Sequence, residues 1–109
     1  MAYVPDRGDV VCIHFDPQMG HEQAGHRPAI VLSDRSYNDL LDLAVVCPIT
    51  CRSKGYRFEV VIPPGLAVRG VVLSDQIKNI DWRARQATYL CTLPHVVVEA
   101  VRNKVRSLV

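Results

Sequence analysis

From residue 9 to residue 90 the apolar residues fall into short runs of alternating or β-branched character, each cut by proline, glycine or small polar residues. Alternation at a period of two puts successive side chains on opposite faces of an extended chain, so this pattern constrains the fold more than any single motif. Asp9 to Phe15 sets Val11, Ile13 and Phe15 on one face and Val10, Cys12 and His14 on the other. Ala29 to Ser33 is a short run suited to a buried strand, and Leu43 to Ile49 is another, closed by Pro48 and Thr50. Arg57 to Ile62 is stopped by Pro63-Pro64-Gly65. Gly70 to Ile80 reads as a strand pair or one bent strand, and Arg85 to Thr92 as a last strand. Only Asp34 to Leu41, with spaced Tyr37, Leu40 and Leu41, suggests one or two helical turns within this region. Several short strands between turn signals predict a mainly β fold, a small barrel or a strongly bent sheet.

The period changes at Pro94. Val97, Val101, Val105 and Leu108 recur at helical spacing, with Arg102, Lys104 and Arg106 in the later turns. Proline suits a first helical turn, Thr92 is a candidate cap, and basic residues near the end complement the helix dipole. The expectation is a closing C-terminal amphipathic helix on a single domain spanning residues 1–109.

Between the first two strand runs lies a long polar connection, bounded by Asp16-Pro17 and Arg27-Pro28 and carrying Glu22, His26 and Arg27. Hairpins close in a few residues, so a connection of this length is either disordered or functional. Prolines at both ends fix the backbone where strand meets loop. An acid, an imidazole and a guanidinium are thereby offered to a ligand.

Net charge is +2, from 13 Lys+Arg against 11 Asp+Glu, which by its total announces no nucleic-acid binder. Its distribution says more. Asp34, Asp39 and Asp42 cluster; Arg52, Lys54 and Arg57 form one basic segment; Lys78, Arg83 and Arg85 form another. If the basic segments meet, a local positive patch follows despite the small total; otherwise they are two solvated loops. Cys12, Cys47, Cys51 and Cys91 are expected as free thiols, since Cys47 and Cys51 are separated by three residues, not the two of a zinc knuckle. A Glu22–His26 metal pair would need helical spacing, which Gly25 and Pro28 disfavour, so no metal and no cofactor are expected. Met1 to Asp6 has neither a basic start nor an apolar stretch, and no run is long enough to cross a bilayer, so the expected location is cytoplasmic.

Gly8-Asp9-Val10-Val11, Phe15-Asp16-Pro17 with Gly20, Glu22-Gln23-Ala24-Gly25-His26-Arg27-Pro28-Ala29 and Val31-Leu32-Ser33 together resemble the MazF/PemK family of toxin endoribonucleases. The similarity continues through Tyr37-Asn38, Pro48-Ile49-Thr50, Ser53-Lys54-Gly55-Tyr56 with Phe58-Glu59-Val60, Gly70-Val71, Asp75-Gln76-Ile77-Lys78 and Trp82-Arg83-Ala84-Arg85. The resemblance implies an SH3-like β-barrel of CcdB/PemK type with short helices, acting as a homodimer. It implies a type II toxin that cuts single-stranded RNA at short sequences without metal. A cognate MazE-like antitoxin with an acidic C-terminal segment would silence it. Departures are few: Cys51 follows Thr50 where a second hydroxyl is common, Arg57 adds a charge between Tyr56 and Phe58, and Pro63-Pro64-Gly65 lengthens a turn.

Such cleavage uses the RNA's own 2′-hydroxyl as nucleophile, leaving a 2′,3′-cyclic phosphate and a 5′-hydroxyl. The protein must hold the phosphate, stabilise charge on its equatorial oxygens and move two protons. The resemblance places most weight on Arg27, whose guanidinium forks onto phosphate oxygens, and on Thr50, whose hydroxyl can donate to one. A permanently charged arginine is an awkward base, which leaves Glu22 or His26 as the more natural proton acceptor. Lys54, Lys78, Arg83 and Arg85 are candidate phosphate contacts, Gln76 and Tyr56 lie in the same segments, and Trp82 is either a stacking platform or core. A non-enzymatic CcdB-like toxin, or an RNA-binding barrel without cleavage, is the alternative. The chain ends Arg106-Ser107-Leu108-Val109 without the terminal tryptophan that the CcdB mode would need.

Overall fold

In this computed structural model, which describes residues 2–14 and 26–109, the elements follow in the order β1 (Asp9–His14), β2 (His26–Val31), α1 (Arg35–Leu41), β3 (Leu43–Thr50), β4 (Glu59–Val61), β5 (Val71–Leu73), β6 (Lys78–Asp81), β7 (Thr88–Thr92) and α2 (His95–Arg106). Among the described residues the antiparallel path is β4-β5-β3-β2-β1-β7, with β6 also on β3. The path does not return on itself there, so the SH3-like barrel is open among the described residues. The long strand β3 is its spine. Ala29, Ile30 and Val31 of β2 face Pro48, Cys47 and Val46, β6 pairs with residues 43–46, and β5 pairs with Ile49 and Thr50. The region 70–80 is thus two strands, as one of the sequence alternatives had it, each paired with β3.

Both faces of this sheet are covered, and residue parity sorts the side chains between them. Val10, Ile30, Leu32, Cys47 and Ile49 join Val60, Ile62, Val72 and the α2 residues Val97, Val98 and Val101 in one core. Val11, Ile13, Ala29, Val31, Ala44 and Val46 join Ile80 and Trp82 in a second. Cys47 is wholly buried, and burial pushes its thiol up to about 12; all four cysteines are free.

Three local expectations are corrected. First, β2 begins at His26, so His26 and Arg27 belong to a strand, not to the preceding loop, because Arg27 and Pro28 already pair with Ile13 and Cys12 of β1. Second, α2 is capped at Pro94 without a side-chain bond, since the Thr92 hydroxyl instead donates to the buried carboxylate of Asp9 at 3.1 Å. Third, Leu108 lies beyond the helix and is 43% exposed, whereas Val98 takes a buried place. Trp82 is core: it is 4% exposed and its indole N–H donates to the Asn38 carbonyl at 2.9 Å, which removes it as a stacking platform.

Asn38, fully buried, ties these parts together. Its Nδ2 donates to the carbonyls of Pro5 at 2.8 Å and Ser33 at 3.1 Å, and its Oδ1 accepts from the Ser33 hydroxyl at 2.5 Å. The Ser33 Oγ in turn accepts the Val45 N–H of β3 at 2.9 Å. Truncation to alanine would leave several buried polar atoms without partners. Asn38→Ala is therefore expected to cost on the order of 3 kcal/mol, read as a lower urea midpoint at unchanged slope. A midpoint equal to that of the wild type would contradict this role.

Candidate active site

Thr50 is the last residue of β3, where it pairs with Val71 of β5. The close approach there needs a glycine: a Cβ on Gly70, at φ +114°, would stand 2.1 Å from the Thr50 carbonyl oxygen. The Thr50 Oγ1 accepts the Arg52 N–H at 3.1 Å, which fixes the oxygen while leaving its own hydrogen to be donated elsewhere. Thr50 lines a cleft of about 490 Å³ together with Arg52, Lys54, Tyr56, Glu59, Leu73 and Gln76, room enough for a nucleotide-sized group.

A second hollow is also lined from β3. Ile13, Pro28, Ala29, Val46, Pro48 and Ile80 form its apolar floor, and Arg27, Lys78 and Arg85 supply its cations. Both draw on β3, where Val46, Pro48 and Thr50 share parity, and on Gln76 and Lys78, two residues apart. The β2–β3 ladder ends at Ala29 opposite Pro48, and the same count carried two residues further sets exposed Arg27 against Thr50. The geometry thus brings Arg27, Thr50, Lys54, Tyr56, Gln76, Lys78 and Arg85 to one side of β3. The two basic segments line separate hollows on this side, Arg52 and Lys54 one and Lys78 and Arg85 the other.

Arg83 goes elsewhere. Its Nε donates to Asp42 and its NH2 lies 3.3 Å from Asp39, with the guanidinium 4.4 Å from the Trp82 ring centre. The hydrogen bond to Asp42 raises its pKa further, and it lines neither hollow. The acidic stretch noted in the sequence thus captures one of the expected phosphate contacts. Glu22 and the side chain of His26 lie outside the described residues, so the acid–base pair has no geometry here.

Sequence reasoning passed over Glu59 and Asp75 as site residues. Glu59 Oε1 accepts from Ser53 Oγ at 2.7 Å and the Gly55 N–H at 3.0 Å, and Oε2 accepts the Lys54 N–H at 2.8 Å. The Lys54 N–H, with the Ser53 hydroxyl and Gly55 N–H, holds its carboxyl below the usual range. Tyr56 donates its hydroxyl to Asp75 at 2.8 Å, a bond that raises the phenol's pKa. The available signal was a Ser-Lys-Gly turn followed within a few residues by a carboxylate able to cap its N–H groups.

Among the described residues no group of three His, Cys, Asp or Glu is placed to hold a metal, and no helix is long and apolar enough to cross a membrane. The chain is 47% identical over 107 residues to the endoribonuclease toxin MazF of Escherichia coli K12, covering 98% of this chain and 96% of that one. It is 37% identical to the E. coli endoribonuclease toxin ChpB, covering 95% of this chain and 93% of that one. Its structure superposes on crystalline MazF from Deinococcus radiodurans with a TM-score of 0.89 and 50% identity, covering 98% and 97% of the two chains. It superposes equally on MazF in a MazE–MazF crystal from the same organism, at 45% identity and covering 98% and 96%. Residues 6–109 match the family described as PemK-like, MazF-like toxin of type II toxin-antitoxin system, and with these identities over nearly its whole length the chain belongs to that family.

Proposed function

We propose that this protein is the toxin of a type II toxin–antitoxin module and cuts single-stranded RNA without a metal, leaving 2′,3′-cyclic phosphate and 5′-hydroxyl ends. The reading is supported by strand parity, which puts Arg27 and Thr50 on the same side of the sheet, Arg27 in a hollow with Lys78 and Arg85 and Thr50 in a cleft with Arg52 and Lys54. Arg27 offers a charged, planar fork to the equatorial oxygens as charge builds there, and Thr50 donates to one of them. Glu22 and His26 move the protons at the attacking and leaving oxygens. Lys54, Lys78 and Arg85 follow the phosphates, while Tyr56 and Gln76 meet bases in the cleft beside Thr50. Arg83, matched by two carboxylates, is left out of this set.

The apolar floor with Arg27, Lys78 and Arg85 around it suits an acidic, partly hydrophobic antitoxin segment lying across the RNA path. The protein acts in the cytoplasm as a homodimer, with α2, on which Val96 is 73% exposed, and neighbouring loops at the interface.

Arg27→Ala and Thr50→Ala are each expected to lose on the order of a hundredfold in single-turnover rate at saturating protein, the scale of one donor lost from a preorganised site. Arg27→Lys should also be poor, since an ammonium keeps the charge without the fork. Lys54→Ala or Lys78→Ala should instead weaken RNA binding and flatten its salt dependence by about one phosphate contact. Wild-type cleavage by Arg27→Ala would make Arg27 a binding or structural residue.

Cleavage should persist in excess EDTA. Activity lost on chelation and restored by one added divalent ion would overturn the metal-free chemistry.

A further inference from the structure

We infer that Glu59 is a positioning residue of the cleft, setting the Ser53–Gly55 loop so that Lys54 is held beside Thr50 where a backbone phosphate would pass. This deepens the ribonuclease function proposed above and rests on it.

Residues 51–55 are exposed throughout, and Gly55, at φ +73°, has no atom within 4 Å of where a Cβ would stand. Packing therefore does little to fix this turn. What it does have is one carboxylate at its centre, with three donors converging on Glu59: a hydroxyl and two successive backbone N–H groups. Successive N–H groups around an anion form a concave nest whose geometry the anion dictates. Glu59 itself is anchored, because it sits on β4 opposite Leu73 of β5, and Leu73 lines the same cleft as Thr50 and Lys54. The chain of constraint thus runs from the sheet through one carboxylate to the basic loop. Next along the chain, the Tyr56 hydroxyl bonded to Asp75 ties the loop to the turn that carries Gln76. The carboxyl of Glu59 is held low by its donors, so the clamp is complete at neutral pH and is lost only as pH falls through that depressed value.

The test is Glu59→Gln, which keeps the size and one acceptor oxygen but turns an NH2 toward a backbone N–H. Three quantities are compared with the wild type: amide hydrogen exchange at Lys54 and Gly55, the Kd for an oligonucleotide made non-cleavable by 2′-deoxy substitution, and the single-turnover rate on the ribo form at saturating protein. Exchange at both amides should be about tenfold faster or more, and Kd should rise roughly tenfold, the scale of a lost charged hydrogen bond. The saturated rate should stay within about threefold. Unchanged exchange or unchanged Kd would overturn the inference. A saturated rate reduced as far as that of Thr50→Ala, at unchanged Kd, would make Glu59 a catalytic residue and overturn it too. A variant that merely unfolds would lose bound fraction without a change in Kd. In that event Glu59→Asp, one methylene shorter, is measured the same way, and the same direction of change is required. If wild-type protein binds the deoxy oligonucleotide but leaves the ribo form intact, the ribonuclease function fails while exchange and Kd still judge Glu59. If wild-type protein binds neither, both fail.

Discussion

The pairing of β2 with β3 is the constraint on which the site depends. Because side chains alternate along a strand, a slip of one residue would exchange the two cores. Ile30 and Cys47 would then leave the α2 side, and Ala29, Val31 and Val46 would leave the face they share with Trp82. Arg27 has the parity of Ala29 and Val31, and Thr50 has that of Ala44 and Val46. The hydrophobic sorting that holds the sheet therefore also fixes which side of it the two proposed catalytic residues occupy. No interaction between them is needed to place them; burial of several aliphatic side chains on each face does so, at roughly 1.5–3 kcal/mol for each.

The electrostatics follow the same division of labour. With a net charge of +2, a positive cleft arises only if acidic side chains are engaged away from it. Asp9 is buried among Tyr3, the Asp6 N–H and Thr92; Asp34 caps α1; Asp39 and Asp42 hold Arg83; Glu99 pairs with Arg102. Glu59 and Asp75 do stand near the cleft, but each carboxylate is turned to donors of the protein's own loop. The field offered to a phosphate is set by this distribution and not by the total.

Much of this was legible in the sequence, for identifiable reasons. Alternation located the strands, and the change of period at Pro94 located α2, because burial on one face imposes those periods directly. The grouping of Thr50, Lys54 and Tyr56 with Gln76 came from the resemblance and from charge clusters, and the structure gathers them in one cleft. What escaped depended on long-range partners. Nothing local says that Arg83 will meet Asp42, that Thr92 will prefer the Asp9 carboxylate to a helix end, or that Arg27 is already in register with Ile13. Pro28 suggested a boundary, yet pairing with β1 carries the strand back through it.

In the proposed mechanism Arg27 and Thr50 act on the same phosphate from adjoining strands. A double-mutant cycle of single-turnover cleavage rates, using Arg27→Ala, Thr50→Ala and the combined variant at saturating protein, tests it most directly. Residues that serve one transition-state charge as a unit are strongly non-additive, so the combined variant should be little slower than the worse single one. Losses that simply multiply would show the two residues acting independently and contradict the account.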